Sequence, residues 1–134
     1  MDIAPYLTAY ANWLNDYQVG EWDYVEHRMG SLDMGFAGTA DRIGYVDGIP
    51  VIVDLKTSSS CDMVRYALQL AAYATLYQEE TGVFCKTAVL QLKKDGGYIW
   101  RPVDSKEQQK ATDIFLDQLD LRKEINEWRA SRKH

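Results

Sequence analysis

Two acidic residues and a lysine flank the turn dipeptide Asp47-Gly48. Asp41 precedes the dipeptide, and Asp54 and Lys56 follow it. If the dipeptide supplies the two loop residues of a hairpin, Asp41 lies directly opposite Asp54, with Cβ atoms ~5 Å apart. Lys56 then lies on the same sheet face, opposite Thr39. The sequence therefore predicts two carboxylates and one ammonium group in a single cluster.

Two adjacent carboxylates in a sheet repel each other, and burial adds a desolvation cost. A proton on one carboxyl, cationic partners or a bound divalent cation relieves that cost. We prefer metal binding, because Lys56 is the one nearby cation that the pattern places there. A Mg²⁺ ion held by one or two carboxylates, waters and a substrate phosphate can polarise a phosphodiester and lower the pKa of water. Lys56 can then orient that water or neutralise charge in the transition state.

The simpler alternative is a solvated charge cluster on a surface hairpin, since charge clusters can be structural. The run Val51-Ile52-Val53 directly before Asp54 is typical of a central buried strand. A carboxylate at the end of such a strand favours the functional interpretation.

The hydrophobic periodicity predicts the element order α-βββ-α-ββ-α. The predicted elements are a helix over 3–17, strands over 22–29, 34–46 and 51–56, a helix over 61–80, strands over 86–93 and 97–103, and a final helix from Ser105. A strand, a helix and a further strand require a crossover connection. We therefore expect an α/β (α+β) fold with a mixed central β-sheet flanked by helices.

Several residues are candidates for the ends of these helices. Ser58-Ser59-Ser60 offers an N-cap for the helix over 61–80, and Gly82 is placed as its C-terminal stop. Ser105 and Gln108 have capping-box spacing at the start of the last helix. The apolar face of that helix is predicted to consist of Ile114, Phe115, Leu119, Leu121 and Ile125.

The composition suits one domain over residues 1–134, with 46% apolar and 26% charged residues. The net charge of −5 argues against a protein that coats nucleic acid electrostatically, but a bound metal reverses the local sign at a nuclease site. No apolar run approaches ~20 residues, and the N-terminus lacks a secretory pattern. Cys61 and Cys85 are expected to be free thiols in a reducing compartment. We expect no membrane association.

A longer pattern around the same residues resembles the signature of the PD-(D/E)XK nuclease superfamily, in the branch of RecB-like and phage-type exonucleases. In that family a Gly-Thr-x-Asp segment supplies the first acidic ligand, matched here by Gly38-Thr39-Ala40-Asp41. An Asp-x-Lys segment supplies the second acid and the catalytic lysine, matched by Asp54-Leu55-Lys56. A following helix carries Gln-x-x-x-Tyr, matched by Gln69 and Tyr73. The three motifs occur in the expected order within roughly residues 22–100, and the resemblance implies a restriction-endonuclease-like core.

The resemblance assigns a role to each matching residue. The catalytic residues are expected to be Asp41, Asp54, Lys56, Gln69 and Tyr73. A Mg²⁺ or Mn²⁺ ion is expected to bind Asp41, Asp54 and the main-chain carbonyl of Leu55. The substrate-binding residues are expected to be Gly38, Thr39 and Thr57.

Other interpretations stay open for individual residues. Gln69 and Tyr73 also suit ordinary helix packing, and Gly38 suits a strand bulge instead of close approach to substrate. Related sequences often have a glutamate in this strand, and Glu26 either supports the metal site or is an exposed strand residue. His27 points to the opposite face of a regular strand and is expected to be non-catalytic.

The implied function is that of a metal-dependent DNA exonuclease of phage or prophage recombination type, in the cytoplasm of a bacterium or a phage-infected host. Its partners are expected to be DNA with free ends and either further copies of the chain or a recombination protein. An endonuclease of restriction or repair type has the same metal site.

Many RecB-like relatives also carry a histidine or glutamate ligand on an upstream helix. The helix over 3–17 contains neither residue, and Asp16 and Glu21 are poor substitutes by position. Three interpretations remain open: a truncated nuclease that lacks the upstream helix of longer relatives, a minimal nuclease with an incomplete metal shell, and an inactive module that binds DNA ends or a recombination or repair partner.

Overall fold

The computed structural model of the chain describes residues 2–31 and 36–132. The elements are α1 (Ala4–Asp16), β1 (Tyr24–Ser31), β2 (Phe36–Val46), β3 (Ile49–Lys56), α2 (Met63–Thr81), β4 (Lys86–Leu92), β5 (Tyr98–Pro102) and α3 (Ser105–Ser131). The predicted order is confirmed. The predicted start of the second strand, at residues 34–35, lies outside the described residues.

The five strands form one mixed sheet in the order β1-β2-β3-β4-β5. β3 and β4 are parallel, and the other neighbouring pairs are antiparallel. The parallel pair is joined by α2, as a crossover between parallel strands requires. The predicted mixed sheet flanked by helices is therefore confirmed.

The β2–β3 hairpin has the predicted two-residue loop. Asp47 and Gly48 have φ angles of 50° and 80°, the left-handed values that a type I′ turn requires. Pairing runs from Val46–Ile49 to Arg42–Val53, in the predicted register. The regular ladder ends at Arg42–Val53, before the predicted pairs of Asp41 with Asp54 and of Thr39 with Lys56. It ends there because the Asp41 side chain accepts a hydrogen bond from a backbone amide of β3. The Asp41 and Asp54 side chains nevertheless lie close to each other.

The helices cover both faces of the sheet. α1 packs on one face, where Trp13 is fully buried against residues that include Val53 and Leu90. α2 packs on the other face, with Leu70 in a core that contains Ile52. Side chains that alternate along β3 therefore point toward α1 or toward α2.

The N-terminus of α2 is capped by Asp62, whose carboxylate accepts a hydrogen bond from the amide of Arg65 at 3.2 Å. The predicted cap in 58–60 was wrong, because the loop continues to a residue whose acceptor stands in reach of the first turn. The predicted C-terminal stop is Gly82, which has a φ of 78° and donates its amide to the carbonyl of Gln78.

The N-terminus of α3 is capped by Asp104, not by Ser105. Asp104 has an extended backbone, and its carboxylate accepts a hydrogen bond from the amide of Glu107 at 2.8 Å. Ser105 already lies inside the helix. Gln108 does not complete a capping box, because its buried amide donates to the carbonyl of Cys85 at 2.9 Å.

The apolar face predicted for α3 is only partly buried. Phe115 and Leu119 are 6% exposed, whereas Ile114, Leu121 and Ile125 are 36–57% exposed. From residue 120 onward every described residue of the helix is exposed, so its second half extends beyond the core.

Cys61 and Cys85 are both free cysteines, and Cys85 is buried. Within residues 2–31 and 36–132, no helix has the length and apolar content needed to cross a membrane.

Candidate active site

Asp54 and Lys56 lie at the C-terminal end of β3, on the sheet face covered by α2. They share this face with Ile52, because alternate residues of a strand point the same way. Asp54 is 7% exposed, and its Oδ2 atom lies 3.1 Å from Nζ of Lys56. The sheet therefore holds an ion pair that is largely shielded from water.

The ammonium group of Lys56 has a second neighbour on α2. Nζ lies 4.6 Å from the centre of the Tyr66 ring, within range of a cation–π interaction. The sequence analysis missed Tyr66. Its spacing of three and seven residues from Gln69 and Tyr73 places all three on one helix face, a signal that could have identified it.

Asp41 joins this pair through the backbone of β3. Its Oδ2 atom accepts a hydrogen bond from the amide of Leu55 at 3.0 Å. The Asp41 carboxylate thereby accepts from a β3 amide that would otherwise donate to a backbone carbonyl of β2. Asp41 and Asp54 are also close enough for a hydrogen bond between their side chains.

These surroundings change the acidity of the buried carboxyl. Burial raises the pKa of Asp54, the hydrogen bond and charge of Asp41 raise it further, and Lys56 lowers it, with a net pKa of about 7. Burial lowers the pKa of Lys56, but the hydrogen bond and charge of Asp54 outweigh this effect and raise it. The arrangement favours a charged lysine beside an Asp54 carboxyl that keeps its proton to a higher pH than usual.

The donor set fits a hard divalent cation. Asp54 Oδ2 is buried, and the Lys56 ammonium lies 3.1 Å from it. Asp41 and Asp54 supply carboxylate oxygen atoms, which Mg²⁺ and Mn²⁺ accept together with waters. Within the described ranges no group of three His, Cys, Asp or Glu residues is placed to hold a metal ion.

Glu26 lies beside Asp41 in the sheet. The β1–β2 register is the same on both sides of it, at Val25–Arg42 and His27–Ala40, which places Glu26 across from Asp41. Glu26 has a φ of 53°, a left-handed conformation that interrupts the strand. Its side chain is exposed.

Two other acidic or basic candidates, His27 and Asp16, have partners away from Asp41 and Asp54. His27 contacts both carboxylate oxygens of Glu80 at 3.1 Å, near the C-terminal end of α2. Asp16 accepts a hydrogen bond from the Tyr98 hydroxyl at 2.7 Å. Because α1 packs on the sheet face opposite to Asp54, it cannot supply the upstream ligand.

Gln69 and Tyr73 form a pair on α2, with the Gln69 amide donating to the Tyr73 hydroxyl at 2.8 Å. The Tyr73 ring lies against Gly38, where an added Cβ would stand 2.4 Å from a ring carbon. The absence of a side chain at Gly38 therefore admits the tyrosine ring. This contact ties the Gln-x-x-x-Tyr motif to the Gly-Thr-x-Asp motif.

The remaining predicted residues, Thr39 and Thr57, are exposed. Thr57 begins the loop after β3, which is held by a residue that the sequence analysis missed. Gln91 pairs with Lys56 in the sheet, is 4% exposed, and donates to the Ser58 carbonyl at 3.0 Å. A glutamine within the otherwise apolar end of β4 is the signal that could have identified it.

Comparison with known proteins agrees with this geometry. A sequence model of the PD-(D/E)XK nuclease superfamily matches residues 3–133, so the chain belongs to that superfamily. Its members are nucleases, which hydrolyse phosphodiester bonds of nucleic acid and generally use divalent metal ions.

One similar solved structure is a crystal structure of a Eubacterium rectale protein to which an exonuclease function has been ascribed. It has a TM-score of 0.51 and 19% identity to this chain, which shows the fold. The match covers 80% of this chain and 46% of the other, so this chain spans less than half of that protein. None of the curated proteins compared with the chain matches it significantly in sequence.

Proposed function

We propose that this chain is a Mg²⁺- or Mn²⁺-dependent deoxyribonuclease that hydrolyses phosphodiester bonds at the end of β3. The observation that carries the proposal is the buried Asp54 carboxyl, which neighbours Asp41 and lies 3.1 Å from the half-buried Lys56 ammonium. Two neighbouring carboxyl groups, one of them buried, are costly unless cations or a proton offset their charge. Membership of a nuclease superfamily supports hydrolysis as the reaction.

In this proposal Asp41, Asp54 and the Leu55 carbonyl hold the cation. A divalent cation bound there would supply Lewis acidity toward a phosphoryl oxygen and would lower the pKa of water. The chain's own contribution is to keep Asp54 in place through the sheet and Asp41 in place through the Leu55 amide. Lys56 stays protonated beside Asp54 and offers N–H donors to the phosphate as its negative charge grows.

We further propose exonucleolytic action on DNA with free ends, of the phage or prophage recombination type. The three motifs shared with RecB-like exonucleases support this substrate class. The fold likeness to a protein with an ascribed exonuclease function is consistent with it.

A second candidate function is a non-cutting module that binds DNA ends or a partner in recombination or repair. One observation favours it: Glu26 is exposed, and the described residues supply no third acidic or histidine ligand beside Asp41 and Asp54. A site with so few protein ligands can bind metal too weakly for turnover.

The test is degradation of end-labelled linear duplex DNA and of closed circular DNA by the purified chain, with Mg²⁺, Mn²⁺ or EDTA. We expect loss of linear DNA with either metal, none in EDTA, and no nicking of the circle. Nicked circles would replace the exonuclease proposal with an endonuclease. If the folded protein cuts neither substrate with either metal, the nuclease proposal fails, and binding to the same labelled ends tests the second candidate.

A further inference from the structure

A groove of about 630 Å³ opens one residue beyond the candidate catalytic lysine. One wall is the loop after β3, with Thr57, Ser58 and Ser59, and the other is the β4–β5 hairpin, with Lys93, Lys94 and Arg101. We call this the basic groove. Three cations line it against one carboxylate, Asp95, in a chain whose net charge is −5.

The centre of the basic groove is a built hydrogen-bond network. The Nε and Nη2 atoms of Arg101 donate to Oε1 of Gln91 at 3.1 and 3.0 Å. The other end of the Gln91 amide donates to the carbonyls of Ser58 and Ser59 at 3.0 and 3.4 Å. Because Gln91 is 4% exposed, this network fixes both the loop and the guanidinium.

The Arg101 charge has no anionic partner in the part of the chain that the structure describes, where the ion pairs are formed by His27, Lys56 and Lys93. Gln91 is a neutral acceptor and uses two of the five N–H donors of a guanidinium. The remaining donors form the planar fork that suits a phosphate. Asp95 competes weakly, because its oxygens face the Gly97 amide and, at 3.9 Å, Lys93.

Lys56, Gln91 and Arg101 lie on successive strands, β3, β4 and β5, with Gln91 contacting Arg101 on the same sheet face. β3 and β5 are two strand spacings apart, about 10 Å. One strand of a duplex carries a phosphate for each rise of about 3.4 Å along the helix axis. A DNA strand with one phosphate at Lys56 can therefore reach the basic groove with another phosphate a few nucleotides away.

We propose that the basic groove binds a backbone phosphate of the DNA strand that is cut at Asp54 and Lys56, with Arg101 as the main donor and Lys93 and Lys94 at the rim. This inference rests on the proposed nuclease function and adds a substrate-positioning site to it. Arg101 is a positioning residue: it aligns the strand and leaves the chemistry to the residues of β2 and β3.

The test uses the Arg101→Gln and Lys94→Gln variants, with Arg122→Gln on the exposed half of α3 as the charge-matched control. The first readout is the affinity for a fluorescein-labelled 20-base-pair duplex in EDTA, measured over a series of KCl concentrations. Losing one phosphate contact should reduce the slope of log affinity against log salt by about 0.9. The second readout is cleavage with Mn²⁺, where KM should rise while kcat changes little.

The outcomes separate the basic groove from the nuclease itself. If the wild-type protein cuts DNA and both groove variants have the same salt slope and KM as wild type, the basic groove does not bind the DNA. The nuclease proposal is then unaffected. If the wild-type protein binds DNA but does not cut it, and the salt slope falls in both groove variants but not in Arg122→Gln, the groove is supported and the nuclease proposal is overturned. If the wild-type protein neither binds nor cuts, both fail.

Two further comparisons test whether the basic groove binds a backbone phosphate. Lys94 is exposed and makes no hydrogen bond or ion pair within the described residues, so its variant reports on DNA even if Arg101→Gln unfolds. Duplexes with a 5′-phosphate or a 5′-hydroxyl distinguish the source of the phosphate. An equal loss on both supports a backbone phosphate, whereas a loss confined to the phosphorylated duplex overturns it in favour of a terminal phosphate.

Discussion

At the scale of single residues, Asp54 destabilises the fold in the position that suits it for the proposed metal binding. The side chain is buried next to a second carboxyl, and the Lys56 ion pair offsets only part of the cost. Its raised pKa has the same cause. A divalent cation bound there would offset the repulsion between the Asp41 and Asp54 carboxyl groups, which makes Asp54 the most informative residue to change.

Replacing Lys56 by alanine should reduce DNA cleavage by about 10²–10⁴-fold, because the phosphate loses its nearest ammonium donor. The measurement is single-turnover cleavage of end-labelled duplex with Mn²⁺. Lys123→Ala is the matched control, since Lys123 is exposed on α3. Cleavage within a few-fold of wild type by a folded Lys56→Ala protein would contradict the role assigned to Lys56.

The pKa of Asp54 predicts how metal-free stability changes with pH. The folded-state pKa of about 7 lies above the unfolded value of 3.8, so the folded state binds more protons between these values. The free energy of unfolding contributed by this group therefore falls as pH rises from about 4 to about 7, and then stays constant. Asn mimics the protonated form and removes this dependence.

Urea unfolding of wild type and Asp54→Asn in EDTA, from pH 4 to 8, measures this contribution. The stability difference in favour of the variant should widen up to about pH 7. A difference independent of pH would show that Asp54 titrates normally in the folded protein.

At the scale of elements, the site depends on how α2 lies across the β2–β3 hairpin. Tyr66 contacts Lys56 at one point of α2, and Tyr73 contacts Gly38 further along. The helix α2 therefore contacts both β2, which carries Asp41, and β3, which carries Asp54 and Lys56.

Replacing Gly38 by alanine should destabilise the fold by about 1–3 kcal/mol, because the new Cβ would stand 2.4 Å from the Tyr73 ring. Gly20→Ala is the matched control, since an added Cβ there meets nothing within 4 Å. Urea unfolding gives both values. Combining Gly38→Ala with Tyr73→Ala should recover part of the loss, and strictly additive effects would exclude the contact.

The two halves of α3 should differ in their response to the same kind of truncation. Leu119→Ala should cost about 2–5 kcal/mol because Leu119 is 6% exposed in the core. Ile125→Ala should stay within about 0.5 kcal/mol because Ile125 is 36% exposed. Thermal unfolding of the two variants checks this, and equal losses would show that the outer half of α3 is packed.

At the scale of the whole molecule, the features that could be predicted from the sequence are those set by residues close together in the chain. The Asp47-Gly48 turn fixed the hairpin register, and the apolar run before Asp54 identified the central strand. The site residues come from one stretch of chain between β2 and α2, so their order in sequence matches their order in space.

The features that the sequence did not predict depend on contacts between distant segments. The bond from the Leu55 amide to Asp41 replaces a ladder bond that strand periodicity would expect. Gln91 and Arg101 meet only because β4 pairs with β5. Similarly, the exposed half of α3 is periodic in sequence, but no element among residues 2–31 and 36–132 covers it.

The most direct test of the account is Mn²⁺ binding, measured by electron paramagnetic resonance of the free ion, because it needs no substrate. The samples are wild type, Asp54→Asn and Asp117→Asn, a charge-matched control on the exposed surface of α3. We predict that wild type and the control bind Mn²⁺ alike, while Asp54→Asn binds at least about tenfold more weakly. Equal binding by Asp54→Asn and wild type would contradict a metal site at the end of β3.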